Sequence, residues 1–338
     1  MYIENIDIRD FGVLKNISIK FEPPNSDTAC PETGNVMNII AGVNGCGKTT
    51  LLKLIADINN AEGYKITWRY PQLATYDKNI INLSFGSFLV ETDNNSHLQR
   101  LEETIVKYII HLERNSRKPD PYERTQDAIN SFNKYFQGAE ISSKVVDISY
   151  SDGRNAPIFE NINGNRFSFS DLSHGEKALY YGILFLIENN YENCVILIDE
   201  PELGMHPGWQ QKIVDIYSRI GRNNQFIIAT HSPQIIANTL YQNLIILRNE
   251  NNKITPFYPR HPPAGVDTNS ILAQIMEVEK IIPEDIENLH IQYRTLIKNE
   301  KEDTLEAQKI KEKLLQRESN DSKFMQEMRL LIRLRGKK

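Results

Sequence analysis

The chain has 338 residues, 40% of them hydrophobic and 25% charged, with a formal net charge of −5. This composition can bury a sizeable core and excludes a nucleic-acid sponge, and no stretch nears the ~20 uninterrupted apolar residues of a bilayer span. Three widely spaced cysteines, Cys30, Cys46 and Cys194, argue against a disulfide framework or a paired-cysteine zinc site, and MYIENIDIRDFG carries no secretion signal, so a cytoplasmic location is expected.

Residues 2–8 (YIENIDI) and 16–21 (NISIKF) alternate apolar and polar, which predicts two half-buried strands turning at Phe11-Gly12. VMNIIA at 36–41 reads as a buried strand that runs into the glycine-rich GVNGCGKTT, after which TTLLKLIADI continues at helical spacing. Residues 86–140 predict a helical insertion, broken at Pro119 and Pro121, rather than a separate domain. CVILID at 194–199 and QFIIAT at 225–230 have the length and β-branching of buried parallel strands, and GWQQKIVDIYSRIG between them has a helical period. The expected fold class is therefore α/β, a parallel or mixed sheet with helices on both faces. A proline-rich connector from 259 leads to a helical tail rich in Glu and Lys, which divides the chain into a head of 1–258 and an extension of 259–338. The basic end, RLLIRLRGKK, reads as a solvated helix end, with contact to nucleic acid as the sharper alternative.

GVNGCGKTT at 42–50 fits G-x-x-x-x-G-K-[ST] through Gly42, Gly47, Lys48 and Thr49, in the strand-loop-helix context the pattern requires. Backbone N–H groups along Asn44, Gly45, Cys46, Gly47 and Thr50 are expected to cradle phosphates at a helix N-terminus. Lys48 would meet the β- and γ-phosphates, and the Thr49 hydroxyl would ligate Mg²⁺. At the end of CVILID, Asp199 is the second candidate metal ligand and Glu200 the candidate base for an attacking water. ATHSPQ at 229–234 brings His231 to the same sheet edge as a γ-phosphate sensor. Ser173-His174-Gly175-Glu176 admits two readings, a hydrolase's nucleophile, base and acid or a phosphate-binding corner. Adjacent residues point in different directions and no G-x-S-x-G elbow surrounds them, which favours the second.

Phosphate loop, LSHGEK, ILIDEPELGMHP and ATHSPQ, in this order, resemble an ABC-type ATPase head of the SMC/OLD-like branch. The resemblance implies a P-loop NTPase fold that uses ATP and Mg²⁺ and a homodimer closing head to tail. Ser173, His174, Gly175 and Glu176 would then face the γ-phosphate held by the other copy. His174 replaces the usual first glycine of that signature, and His206 in ELGMHP is expected to shape the dimer-facing loop. Gln72 is the candidate for the family's Gln loop and a third contact to the metal, with Gln99 and Gln126 as competitors. Arg9 or Phe11 could stack on adenine, although Phe11 reads equally well as core. The tail resembles that of the ATPase subunit of Septu and its retron-associated relatives in bacterial anti-phage systems. That likeness implies a partner effector such as an HNH nuclease, possible involvement of a retron reverse transcriptase and its nucleic acid, and no membrane. The alternatives are a DNA-repair or chromosome-handling head and, further off, the nucleotide-binding subunit of a transporter.

Overall fold

The alternating N-terminal segments fold as strands Tyr2–Phe11 (β1) and Leu14–Lys20 (β2), paired antiparallel. The computed structural model describes residues 1–57, 63–69, 80–84, 95–137, 141–151, 154–250, 253–261 and 283–335. Strand Val36–Ala41 (β3) leads through the glycine-rich loop into helix Lys48–Ala56 (α1), and strand Tyr64–Arg69 (β4), not foreseen from sequence, joins the other edge of β1. A bulge between Ile3 and Asn5 shifts the register of that pairing. It lets Ile3 share the buried side with Ile6 and Ile8, which period-two alternation alone would forbid.

The central sheet adds Ile80–Ser84 (β5), Val195–Asp199 (β9), Gln225–Ala229 (β10), Leu244–Glu250 (β11) and Lys253–Phe257 (β12), in the order β12-β11-β3-β10-β9-β5. All neighbours are parallel except β12 on β11. Strands apolar at every position must be covered twice, and alternate residues divide the core accordingly. Ile40, Val195, Leu197 and Ile227 pack with Leu51, Leu52 and Ile55 of α1 and the isoleucines of β1 and β2. Met37, Ile39, Ile196, Ile198 and Ile228 face the opposite way, into the helices. Helices therefore lie on both faces as expected, with one addition. One face is closed by α1 together with the three-stranded sheet β2-β1-β4, because the amphipathic N-terminal strands offer an apolar face of the right size.

The insertion supplies Asn95–Asn115 (α2) and Pro121–Asn133 (α3). Asp120 caps α3 by accepting from the Glu123 N–H at 2.9 Å, with Pro121 in the first turn where its missing N–H costs nothing. It is followed by a small antiparallel sheet that the sequence reading did not anticipate, Ser143–Ser151 (β6), Arg154–Asn161 (β7) and Arg166–Phe167 (β8). Its alternation is broken by a bulge between Val145 and Asp147, which hides the strand period. Tyr180 of the next helix, His174–Asn189 (α4), welds these parts together. Its ring lies 4.3 Å from that of Phe136 and 5.3 Å from that of Phe159, and its hydroxyl donates to the Ser143 carbonyl. The insertion thus shares the core of the head.

GWQQKIVDIYSRIG forms two short helices, Pro207–Gln210 (α5) and Ile213–Ser218 (α6), rather than one, and Pro233–Ala237 (α7) follows β10. The chain forms two compact units, Met1–Glu277 and Val278–Lys338, so the expected division after residue 258 falls inside the first. Within the second unit, Glu284–Lys298 (α8), Leu305–Leu315 (α9) and Lys323–Arg335 (α10) bury Tyr293, Ile297, Ile310, Leu314 and Met328 among themselves. The pairs Arg294–Glu327 and Arg317–Asp285 join one helix of this unit to another segment of it. No described helix is long and apolar enough to cross a membrane.

Candidate nucleotide-binding site

Parallel register brings the C-terminal ends of the central strands to one edge. Ala229 sits level with Asp199 on one side and with Ile40 on the other, so the loops after β3, β9 and β10 are neighbours. The loop after β3 needs Gly42 for a steric reason. Its φ is +149°, and a Cβ there would stand 2.4 Å from the Leu247 carbonyl oxygen and 2.7 Å from the Cys46 sulfur. Asn44 and Gly45 form the exposed crest, whereas Cys46, Gly47 and Lys48 are buried. Gly47 caps α1 with no side-chain hydrogen bond, which leaves the first-turn N–H groups without a side-chain partner. Thr50 packs its methyl under the Gly12 turn.

Lys48 bends back into the loop. Its Nζ donates to the carbonyls of Gly42 at 2.9 Å and Val43 at 3.0 Å and lies 3.4 Å from His231 Nδ1. Burial holds the Lys48 ammonium below its usual pKa and pushes the Cys46 thiol above its own, so Cys46 is a neutral neighbour. The Thr49 hydroxyl donates to Asp199 Oδ1 at 3.2 Å. Burial, assisted by Glu200, raises Asp199 above the ordinary carboxylate range, with the Thr49 bond pulling the other way. Glu200 occupies the left-handed region at φ +52°, its N–H donates to the Ala229 carbonyl, and its Oε1 lies 3.8 Å from His231 Nε2. A non-glycine residue in that region carries strain, which clusters at functional sites. Burial and the Lys48 charge lower the His231 pKa, so the ring is neutral at pH 7. An ammonium facing Nδ1 makes that nitrogen the acceptor, which assigns the proton to Nε2 on the Glu200 side.

The second predicted cluster lies at the start of α4, where Ser173 is the N-cap and Glu176 the third helical residue of a capping box. Glu176 Oε2 accepts from the Ser173 N–H and hydroxyl, while the Ser173 oxygen accepts from the Glu176 N–H. Gly175 touches the segment after β9, since a Cβ there would meet the Gly204 carbonyl oxygen at 2.5 Å. Among the described residues no hydrogen bond joins this corner to the 42–50 loop of the same chain. The structure therefore gathers Lys48, Thr49, Asp199, Glu200 and His231, and leaves Ser173, His174, Gly175 and Glu176 apart from them.

The family described as "AAA domain, putative AbiEii toxin, Type IV TA system" matches residues 62–237, about half of the chain. This chain belongs to that AAA-domain family. Its relatives include the "Retron Ec83 probable ATPase" of Escherichia coli, 28% identical over 84% of this chain and 53% of that protein. The "Septu protein PtuA" of Bacillus mycoides (strain KBAB4) is 24% identical over 92% of this chain and 49% of the relative. The chain spans about half the length of these curated relatives. An Smc head solved bound to the C-winged helix domain of ScpA aligns with a TM-score of 0.48 at 15% identity, covering 76% of this chain and 98% of the other. The AAA-domain head has a P-loop NTPase fold, with its phosphate loop between β3 and α1 and its paired carboxylates at the end of β9.

Within this AAA-domain chain the remaining sequence candidates fare unevenly. Gln72 lies outside the described residues. Gln126 donates to the Val146 carbonyl at 3.5 Å and so ties α3 to β6, and Gln99 is exposed on α2. Phe11 packs edge-on against Tyr64 and joins the core under α1, which favours its core reading. The Arg9 N–H donates to the Gly63 carbonyl. His206 caps α5 by accepting from the Gly208 N–H through Nδ1. Sequence reasoning missed Glu202 and Gln210 of the AAA-domain head. Glu202 accepts from the Thr230 hydroxyl and the His231 N–H, and burial raises its carboxyl above the usual range. Its one visible signal was a third carboxylate in DEPE, where the eye stops at Asp199-Glu200.

The raised carboxyl of Asp199 gives a stability prediction. A carboxyl whose folded pKa exceeds its unfolded one weakens the fold where it is ionised, and that weakening fades as falling pH protonates it. Asp199→Asn, which can still accept from Thr49, should raise the Tm of the nucleotide-free protein by about 1–3 °C near pH 8. The gain should shrink as pH falls toward the ordinary carboxylate pKa of about 4. Melting curves across that range in chelator check it, and a gain that persists at low pH would contradict the assigned cause.

Proposed function

We propose that this chain is a Mg²⁺-dependent ATPase whose heads close head to tail on ATP and thereby control a partner effector, a nuclease being the best-fitting class, in anti-phage defence. The observation that carries the reading is the convergence of Lys48, Thr49, Asp199, Glu200 and His231 at one sheet edge. The names of the retron and Septu relatives support the biological setting.

Thr49 and Asp199 fit the magnesium ion of such a site. They are hard oxygen donors 3.2 Å apart, and a nucleotide-bound Mg²⁺ takes few protein ligands beside phosphate and water, so a cluster of three or more metal-binding side chains is not required. The ion, when bound, would neutralise charge developing between the β- and γ-phosphates. The protein's own groups do the rest. Loop N–H groups from Asn44 to Thr50 and the Lys48 ammonium hold the phosphates, Glu200 orients and deprotonates the attacking water, and neutral His231 donates from Nε2 to the terminal phosphate. Ser173 and Gly175 would complete the site of the second copy, where ATP and ADP differ by the phosphate they contact.

A complementation experiment tests the shared site. Lys48→Ala and Ser173→Arg proteins should each hydrolyse ATP at a few per cent of the wild-type rate. Mixed and allowed to exchange subunits, they should recover about a quarter of it, because half of the dimers then pair one intact loop with one intact signature. Full activity in Ser173→Arg alone would show that each chain works unaided and sink the head-to-tail arrangement.

A further inference from the structure

We infer that Glu202 is the positioning residue for His231, fixing the histidine's backbone and with it the imidazole that faces the terminal phosphate; this rests on the nucleotide reading above. β10 ends at Ala229 and the Thr230 N–H still donates to the Ile40 carbonyl of β3, after which the N–H groups of His231 and Ser232 take side-chain acceptors. Glu202 Oε1 accepts from the His231 N–H at 2.6 Å and from the Thr230 hydroxyl at 2.7 Å. The Thr230 oxygen accepts from the Ser232 N–H at 2.9 Å, and the Ser232 hydroxyl donates to Gln210 Oε1 at 2.6 Å. Gln210 in turn donates to the Met205 carbonyl. The histidine segment is thus held to the loop after β9 by two side chains, with Glu202 on the histidine itself.

The geometry separates this task from chemistry on substrate. Glu202 Oε1 is committed to two donors, and Oε2 is buried with no hydrogen-bond partner among the described residues, so neither oxygen is offered to an attacking water. Burying a carboxylate is unfavourable unless its bonds are made, and charge-assisted bonds are short and directional. The arrangement therefore gives the His231 amide one well-defined place. The imidazole of the same residue has Lys48 Nζ 3.4 Å from Nδ1 and Glu200 Oε1 3.8 Å from Nε2.

The test combines hydrogen exchange of the 225–237 peptide with steady-state ATPase kinetics on the full chain. Glu202→Ala should speed exchange at the His231 amide at least tenfold and lower kcat about 10–100-fold, with KM for ATP within about threefold. Glu202→Gln keeps an acceptor oxygen and should stay within about threefold of wild-type kcat. Thr230→Val, which removes one donor and spares the amide bond, should fall between them and serves if Glu202→Ala does not fold. Combined with His231→Ala, Glu202→Ala should add no further loss. Unchanged amide protection in Glu202→Ala, wild-type kcat in that variant, or losses that multiply with His231→Ala would each overturn the inference. If His231→Ala itself hydrolysed at the wild-type rate, the phosphate role of the histidine would fall, and the exchange arm would still decide whether Glu202 holds residue 231.

Discussion

Glu200→Gln should reduce ATP turnover by about 10³-fold while leaving ATP affinity within about twofold. The substitution keeps side-chain size and the donated bond from the residue's own N–H to the Ala229 carbonyl. Both residues pay the same cost at φ +52°, so the fold is unaffected and only the basic oxygen is lost. The neighbouring His231 is held neutral by burial and by the Lys48 charge and cannot take over as a strong base while it faces an ammonium. Hydrolysis rates, ATP titration and light scattering provide the checks, the last expected to find the variant trapped as an ATP-bound dimer. Turnover near the wild-type rate would remove Glu200 from the role of base.

Gly42→Ala should abolish tight ATP binding, by about 100-fold or more, and destabilise the head by about 2–4 kcal/mol. The added methyl would stand 2.4 Å from the carbonyl oxygen of Leu247, a buried residue in a strand paired on both sides, so that oxygen has nowhere to go. The loop must move instead, and Lys48, which donates to the Gly42 carbonyl, moves with it. Gly45 is the internal control. Its φ is +79°, yet a methyl there would meet nothing within 4 Å, so Gly45→Ala should cost only about 1–2 kcal/mol of backbone strain. Nucleotide titration and thermal melting of both variants separate collision from strain, and equal losses in the two would refute the collision.

Much of the candidate site was legible because phosphate loops and strand-end carboxylates are local devices. Lys48 and Thr49 follow from contiguous residues, and the short apolar strands announce themselves by length and β-branching. The two outer sheets were less legible for a different reason. β6 contains a bulge at Val145–Asp147 that breaks its period, whereas β4 (YKITWR) does alternate, with Tyr64, Ile66 and Trp68 packed on the core, but in so short a run that only the free edge of β1 shows what it pairs with. The position of Gln72 lies outside the described residues, so its part in the Gln loop stands as read from sequence.

Taken alone, the sequence determined the P-loop class of the fold and the strand-loop-helix order around β3, and it singled out Lys48, Thr49, Asp199, Glu200 and His231 as candidates for one chemistry. Tertiary structure decided which atoms meet. Sheet register set Ala229 level with Asp199 and Ile40, and only that alignment lets Lys48 reach His231 and Thr49 reach Asp199. It also turned Glu176 into the cap of its own helix and Glu202 into the tether of a neighbouring strand. A carboxylate looks the same in sequence whether it caps, tethers or deprotonates, because the distinction lies in which donors the fold brings within three ångströms of its oxygens.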